Sequence, residues 1–225
     1  MPTDAVSKSK QRVLEGFLKF QREIYPKNRA VYERTVREGQ KPHTLFITCA
    51  DSRIDPELIT QSGPGDIFVA RNIGNLAPPH GEAMGTLSVI IEYAVAALQV
   101  PHIVICGHTH CGAMTGLLHP QKMIGLPTVQ ARLRNSDAAL SVVRMRKTAH
   151  DEEEAIRQLT EENVLLQLRH LQTHPSVAGA LTEGNLALSG WVFDIGEGAV
   201  CIYDEDQRKF LPAMIHQPLA VAGRH

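Results

Sequence analysis

Aromatic residues are scarce, at 5% of the chain with one tryptophan, so there is no interleaved aromatic and basic platform for nucleobases. Charge of one sign is equally lacking. With 23 basic against 24 acidic residues the formal net charge is −1, which offers no field to draw in nucleic acid or an anionic membrane surface. No apolar run approaches the roughly 20 residues that cross a bilayer. The longest, from Val89 to Leu98, is interrupted by Glu92. The opening residues, MPTDAVSKSKQRVLEGF, show no apolar run before their first charges and no small-residue cleavage site, so the expected location is cytoplasmic. Cysteine is sparse too: four in 225 residues are too few for a disulfide framework. Cys49, Cys106, Cys111 and Cys201 therefore divide between buried thiols and metal or catalytic thiolates. What remains is a chain with 43% hydrophobic residues, enough for one substantial core, and a charge balance that suits a small or neutral ligand.

Between residues 10 and 38 the apolar positions Val13, Phe17, Phe20 and Ile24 recur at helical spacing, and Pro26 predicts two helical pieces rather than one rod. Thr44 to Cys49 reads as a buried strand that delivers Ala50-Asp51-Ser52-Arg53 at its carboxyl end. Ile67 to Ala70 is a second strand, residues 82 to 99 are helical, and His102 to Cys106 is a third strand closed by Gly107-His108-Thr109-His110-Cys111-Gly112. This alternation predicts an α/β fold: a central, mostly parallel sheet flanked by helices, with an N-terminal helical arm. In such sheets ligands bind beyond the carboxyl ends of the strands, where both cysteine-bearing segments lie. Arg144 to His174 reads as a solvated helix packed by the stripe Ile156, Leu159, Val164, Leu165 and Leu168. Leu186 to Phe193 and Ala199 to Tyr203 suggest a hairpin at the sheet's edge. The tail after Phe210 is expected to be poorly ordered or draped on a partner.

Zinc favours thiolate and imidazole, and catalytic zinc sites keep three protein ligands and one open position. His108 and Cys111 share one short loop, and Cys49 arrives from another strand end. The spacing alone is common, and ordinary buried thiols with a surface histidine are its more frequent meaning. Two features favour a metal: Gly107 and Gly112 bracket the loop, and the charged pair Asp51 and Arg53 sits beside Cys49 at the end of an apolar strand.

Cys49-Ala50-Asp51-Ser52-Arg53, followed by Cys106-Gly107-His108-Thr109-His110-Cys111-Gly112, resembles the paired signature of the β-carbonic anhydrases. Arg71-Asn72-Ile73-Gly74-Asn75 and Gly190-Trp191-Val192-Phe193-Asp194 are similar to family segments as well, so the likeness runs from about Gln40 to Asp194. The resemblance implies reversible hydration of carbon dioxide to bicarbonate and a proton by a zinc-bound hydroxide. It implies one Zn2+ per chain on Cys49, His108 and Cys111. Asp51 and Arg53 would form a catalytic dyad that gates the fourth zinc position, with Asp51 itself the fourth ligand in a closed form. Gln40, acting across a dimer interface, and the Gly112 N–H would bind substrate. The implied layout is an arm over residues 1–40, a catalytic domain over 41–210 and a tail over 211–225. The apolar surface of the arm points to a homo-oligomer, a dimer or dimer of dimers, with no nucleic-acid or membrane partner. Two thiolates donate more charge than imidazoles, so water activated there is expected to ionise at a higher pH than at an all-histidine site.

Some members of that family carry an inhibitory bicarbonate pocket of tryptophan, arginine and tyrosine. This chain has Phe46, Arg71 and Phe193 at those positions, which predicts no strong shutdown by bicarbonate. His110 reads as a solvated loop histidine, Trp191 as packing, and Cys106 and Cys201 as strand thiols. Three other readings stay open: the same site acting on carbon disulfide or carbonyl sulfide, a zinc-containing binding protein without turnover, and a redox protein using Cys106 and Cys111.

Overall fold

The computed structural model describes residues 3–81 and 85–213. Internal contacts group the chain into two units, Met1–Lys41 and Pro42–His225. In the first unit, α1 (Asp4–Lys19) starts where the Thr3 hydroxyl accepts the Val6 N–H at 3.4 Å. A π-helical turn, Phe20–Ile24, leads into α2 (Tyr25–Glu38). The break expected at Pro26 is thus a widened turn with helical dihedrals at both joints. Pro26 lies in the first turn of α2, where its missing N–H costs no helical bond. Phe20, Tyr25 and Tyr32 pack their rings together there. Along α1 no side chain is buried, and Val13 is 73% exposed.

The second unit runs β1 (Thr44–Cys49), α3 (Pro56–Thr60), β2 (Ile67–Asn72), α4 (Thr86–Glu92), β3 (His102–His108), α5 (Gly112–Leu118), α6 (Pro127–Leu133), α7 (Asp137–Arg146), α8 (Glu152–Leu171), α9 (Pro175–Thr182), β4 (Ala187–Asp194), β5 (Ala199–Asp204) and β6 (Lys209–Pro212). The strands form one sheet in the order β2-β1-β3-β4-β5-β6, parallel from β2 to β4 and antiparallel from there on. Every residue of β1 is buried, which is why Leu45, Phe46 and Ile47 follow one another without alternation, and the buried Thr48 hydroxyl is satisfied by donating to Cys106 O at 2.9 Å. Leu45, Ile47, Ile103 and Ile105 pack with Leu87 and Ile91 of α4, Val164 and Leu171 of α8 and Val177 of α9. The alternate positions Phe46, Val104 and Cys106 cluster with Val69, Trp191 and Phe193.

Four sequence expectations need correction. β3 runs on to His108, so the residue placed in a loop is the last of a strand. The single helix over 144–174 is two: α7 ends at Arg146, Lys147 takes a left-handed φ of 53°, and the Asp151 carboxylate caps α8 by accepting the Glu154 N–H at 2.8 Å. α8 is not a solvated helix with one apolar stripe either, because Thr160, Glu162, Asn163 and Gln167 are buried along with Leu159, Val164 and Leu166. Finally, β6 pairs with β5 through residues 209–212, so the start of the expected tail is sheet. The remainder of that tail, and the start of the helix expected over 82–99, lie outside the described residues.

α8 rides close on the sheet because glycines make room for it. A Cβ on Gly107 of β3 would come within 2.8 Å of Thr160 Cγ2, and one on Gly190 of β4 within 2.8 Å of Val164 Cγ1.

Candidate active site

Parallel pairing brings the carboxyl ends of β1 and β3 side by side, with Thr48 opposite Cys106. Cys49 is the last residue of β1 and His108 the last of β3. The chain then turns through His110, at a left-handed φ of 55°, and Cys111 precedes the first turn of α5. The side-chain ligand atoms of Cys49, His108 and Cys111 all lie within 4.8 Å of one another, and all three residues are buried.

The histidine is set up as a ligand. Its Nδ1–H donates to the Thr109 carbonyl at 2.8 Å, which leaves a lone pair on Nε2. That Nε2 is buried and has no hydrogen-bond partner. An orphaned imidazole nitrogen is costly in a protein interior unless something occupies its lone pair. Thr109 is itself fixed, since its N–H donates to Phe193 O at 2.9 Å and its hydroxyl accepts from Ile195 N–H at 3.0 Å. The ligand loop is thereby tied to the end of β4.

The two thiols share a proton. A thiolate at Cys49 accepts a hydrogen bond from the Cys111 thiol, and further ones from the Gly74 and Asp51 backbone, which hold it down to about 4 despite burial. Cys111, donating to that thiolate and buried beside its charge, is pushed well above the usual thiol range. The pair loses one proton readily and the second only when a cation compensates both charges. Two sulfurs and one imidazole nitrogen whose lone pair no proton donor occupies fit zinc.

Asp51 and Arg53 form the pair expected beside Cys49. Arg53 donates from Nε to Asp51 Oδ1 at 2.9 Å and from Nη2 to Oδ2 at 2.8 Å, and its backbone N–H adds a bond to Oδ1 at 3.0 Å. These bonds hold the Asp51 carboxyl well below the usual carboxylate range. Asp51 Oδ2 stands 3.9 Å from His108 Nε2, so the carboxylate borders the ligand cluster while both of its oxygens are engaged by Arg53. Arg53 also donates to the His110 carbonyl at 3.1 Å, which gives that histidine a backbone role that its ring did not suggest.

The other expected residues fall in place unequally. Gly112 is the exposed first residue of α5, with open space where a side chain would project. Gln40 is exposed and belongs to the N-terminal unit. Arg71 donates from Nε to Cys49 O at 3.2 Å and from Nη2 to Asp51 O at 2.7 Å, so it pins the segment that carries the first thiol. Phe46 and Phe193 sit in the apolar cluster with Trp191, whose ring meets Phe46 edge-on. Cys106 is in that cluster too, pushed up to about 12 by burial, while Cys111 belongs to a different one, which opposes a redox pairing of the two. A cavity of about 540 Å³ lies beside the ligand loop, lined by Thr109 and His110 but also by Glu152, Glu153, Glu154 and Asp194. It holds none of the three ligands, and its carboxylates repel an anion.

A family model described as carbonic anhydrase matches residues 44–200. Over 202 residues the chain is 48% identical to carbonic anhydrase 1 of Escherichia coli O157:H7, covering 90% of this chain and 91% of that protein. Among solved structures it is similar to the β-carbonic anhydrase CcaA, with a TM-score of 0.88 and 41% identity over 91% of this chain and 100% of that one. It is also similar to a structure from a study of two tetrameric β-carbonic anhydrases of the filamentous ascomycete Sordaria macrospora, with a TM-score of 0.69 and 30% identity over 88% of this chain and 95% of that one.

Proposed function

This chain belongs to the β-class carbonic anhydrases and is a carbonate dehydratase, and from that premise we propose how its own residues carry out the hydration of carbon dioxide. Cys49, His108 and Cys111 would hold one zinc ion, which when bound supplies the Lewis acidity that brings water's ionisation toward neutral pH, carbonic anhydrase being the general example of that effect. The observation that carries the reading is the orphaned His108 Nε2, within 4.8 Å of both thiol sulfurs and beside a carboxylate that Arg53 restrains.

Asp51 acts as an acceptor. Arg53 keeps it ionised, so Oδ2 receives a hydrogen bond from an entering water and orients that water without taking its proton. A carboxylate held so far below neutrality is a weak base, and the proton therefore passes on to buffer. Arg53 also governs access: while its fork grips both oxygens, Asp51 stays off the ligand cluster, and release of the fork would free the carboxylate to close it. Gly112 offers a backbone N–H to bicarbonate, and Gln40 of a neighbouring copy completes the substrate site. The exposed apolar residues of α1, Val13, Leu14, Phe17 and Leu18, support burial against that copy in a dimer or dimer of dimers. No helix among the described residues is long and apolar enough to cross a membrane. Four free cysteines, three of them buried, suit a reducing cytoplasm.

Stopped-flow hydration of carbon dioxide at pH 7 and 8.5, on protein assayed for zinc, tests this reading. Fast hydration at about one zinc per chain is expected, with both zinc and activity lost in His108→Ala. Fast hydration by zinc-free protein, or full zinc content in His108→Ala, would overturn it.

A further inference from the structure

Residues 74–80, between β2 and the described start of α4, are strapped along their length to one face of α8 and the turn that follows it. The Asn163 amide donates to Gly74 O at 3.0 Å, and Gln167 Oε1 accepts the Ala77 N–H at 2.8 Å. His170 Nδ1 bonds Ala77 O at 3.0 Å, Thr173 Oγ1 accepts the His80 N–H at 2.8 Å, and His174 Nε2 bonds Pro78 O at 3.0 Å. At the head of this row the polar groups are locked to each other. Asn163 Oδ1 accepts from the Ser136 hydroxyl at 2.6 Å and from the Gln167 amide at 2.9 Å. Ser136, Asn163 and Gln167 are all 0% exposed. A closed polar network this deep in a protein is conformationally demanding, because no member has a good alternative partner.

The segment it grips, together with Asn72 just before it, touches both thiol-bearing pieces of chain. Asn72 pairs with Cys49 in the sheet, and its carbonyl takes the Ala50 N–H at 2.8 Å. Gly74, at a left-handed φ of 83°, lies so close to α5 that a Cβ there would meet Ala113 at 3.2 Å and Met114 at 3.4 Å, just past Cys111. The same helix face, through Thr160 and Val164, packs on Gly107 next to His108.

We propose that Asn163, supported by Ser136 and Gln167, is a positioning residue for the metal centre: it wedges Gly74 between the Cys49 and Cys111 segments and so sets how tightly the site holds its ion. This rests on the metal site proposed above, and the test separates the two. The measurements are cobalt(II) uptake by metal-free protein, read from the thiolate-to-cobalt charge-transfer band, the rate of cobalt release to excess chelator, and the thermal midpoint. They would be made on wild type, Asn163→Ala, Ser136→Ala, and the control Phe210→Ala, which truncates a β6 ring packed on Tyr203, at the opposite edge of the sheet from β2. Asn163→Ala is expected to release cobalt about tenfold faster with an altered band, the lower end of what outer partners of metal ligands contribute. Ser136→Ala should show a smaller increase, and it carries the test should Asn163→Ala fail to fold. Phe210→Ala should lower the midpoint with wild-type release. Wild-type release and spectrum in both polar variants would overturn the positioning role while leaving the metal site intact. A wild type that takes up no cobalt would overturn the site and this role together.

Discussion

Gly107→Ala puts one methyl group where the sheet and α8 leave no room. The added Cβ would lie 2.8 Å from Thr160 Cγ2 and 3.0 Å from Val164 Cγ2, where ordinary carbon contacts need close to 3.5–4.0 Å. Both neighbours are β-branched, so neither side chain swings aside cheaply within a helix. β3 cannot sink away from them, since it is paired on both sides and packed on its other face. α8 must therefore lift, and overpacking of this kind costs about 1–3 kcal/mol. For a chain of this size that amounts to a fall in thermal midpoint of roughly 2–12 °C. Lifting α8 also draws Asn163 away from Gly74 and disturbs His108, so hydration of carbon dioxide should drop along with stability. Gly190→Ala is the matched comparison. It creates contacts of 2.8 and 3.0 Å, with Val164 Cγ1 and Leu168 Cδ1, but at a β4 position level with Ile105 rather than beside a ligand. Its stability loss should be similar with more activity retained. Urea and thermal unfolding at one fixed protein concentration, with activity measured per bound zinc, would make the comparison. An unchanged midpoint in Gly107→Ala would refute the reasoning, and equal activity in the two variants would refute its second half.

Other outcomes follow from the dyad and its surroundings. Arg53→Ala should lower hydration about 10- to 100-fold with zinc content unchanged, and Arg53→Lys should recover only part because one ammonium cannot grip both oxygens of Asp51. Near-wild-type rates in Arg53→Ala would remove the gate from the mechanism. Because Arg53 depresses the Asp51 pKa, the stability this pair contributes is present above the ordinary carboxylate pKa and is lost only as pH falls through the lower folded value. Unfolding measured from pH 7 to 5 should therefore show no step that Asp51→Asn abolishes. Hydration should rise between pH 7 and 9, as two thiolate ligands imply, and a flat profile from pH 6 to 9 would count against that. Bicarbonate should produce no cooperative loss of activity at low pH, since Phe46 and Phe193 are closed into an apolar cluster and Arg71 is spent on two backbone carbonyls. Loss that reverses when bicarbonate is removed would contradict it.

The strands were legible because their signals are local, and the grouping of Cys49, His108 and Cys111 because the motifs that carry them resemble a family signature. Thr44–Cys49 is β-prone and carries an apolar centre, Leu45-Phe46-Ile47, as suits a strand buried on both faces, and it ends at a motif whose charged pair has no packing reason to be there. The parts that escaped depend on partners distant in sequence. That His108 belongs to β3 follows from its pairing opposite Phe193, which nothing beside it reveals. β6 is a four-residue edge strand with two exposed ends, too short to carry a period of its own. Asn163 and Gln167 looked like the wet face of a helix because their partners, Gly74 O and Ala77 N–H, come from a segment some ninety residues earlier. One hint was available: Asn163 falls four residues after Leu159 and next to Val164, inside the apolar stripe. From the sequence Arg71 is only what remains of a three-residue anion pocket whose other two positions are Phe46 and Phe193, and the bonded geometry alone shows it holding Cys49 and Asp51 in line.

The order in which the chain supplies these pieces has a consequence during synthesis. Cys49 emerges early, but the strand that brings His108 beside it, and the helix that closes over Gly107, come much later. At ordinary ribosomal speeds roughly ten seconds separate Cys49 from the end of α8. Throughout that interval the first thiol has neither His108 and Cys111 beside it nor its cover, so the nascent enzyme passes through a window in which an oxidant or a stray metal ion meets an unprotected cysteine.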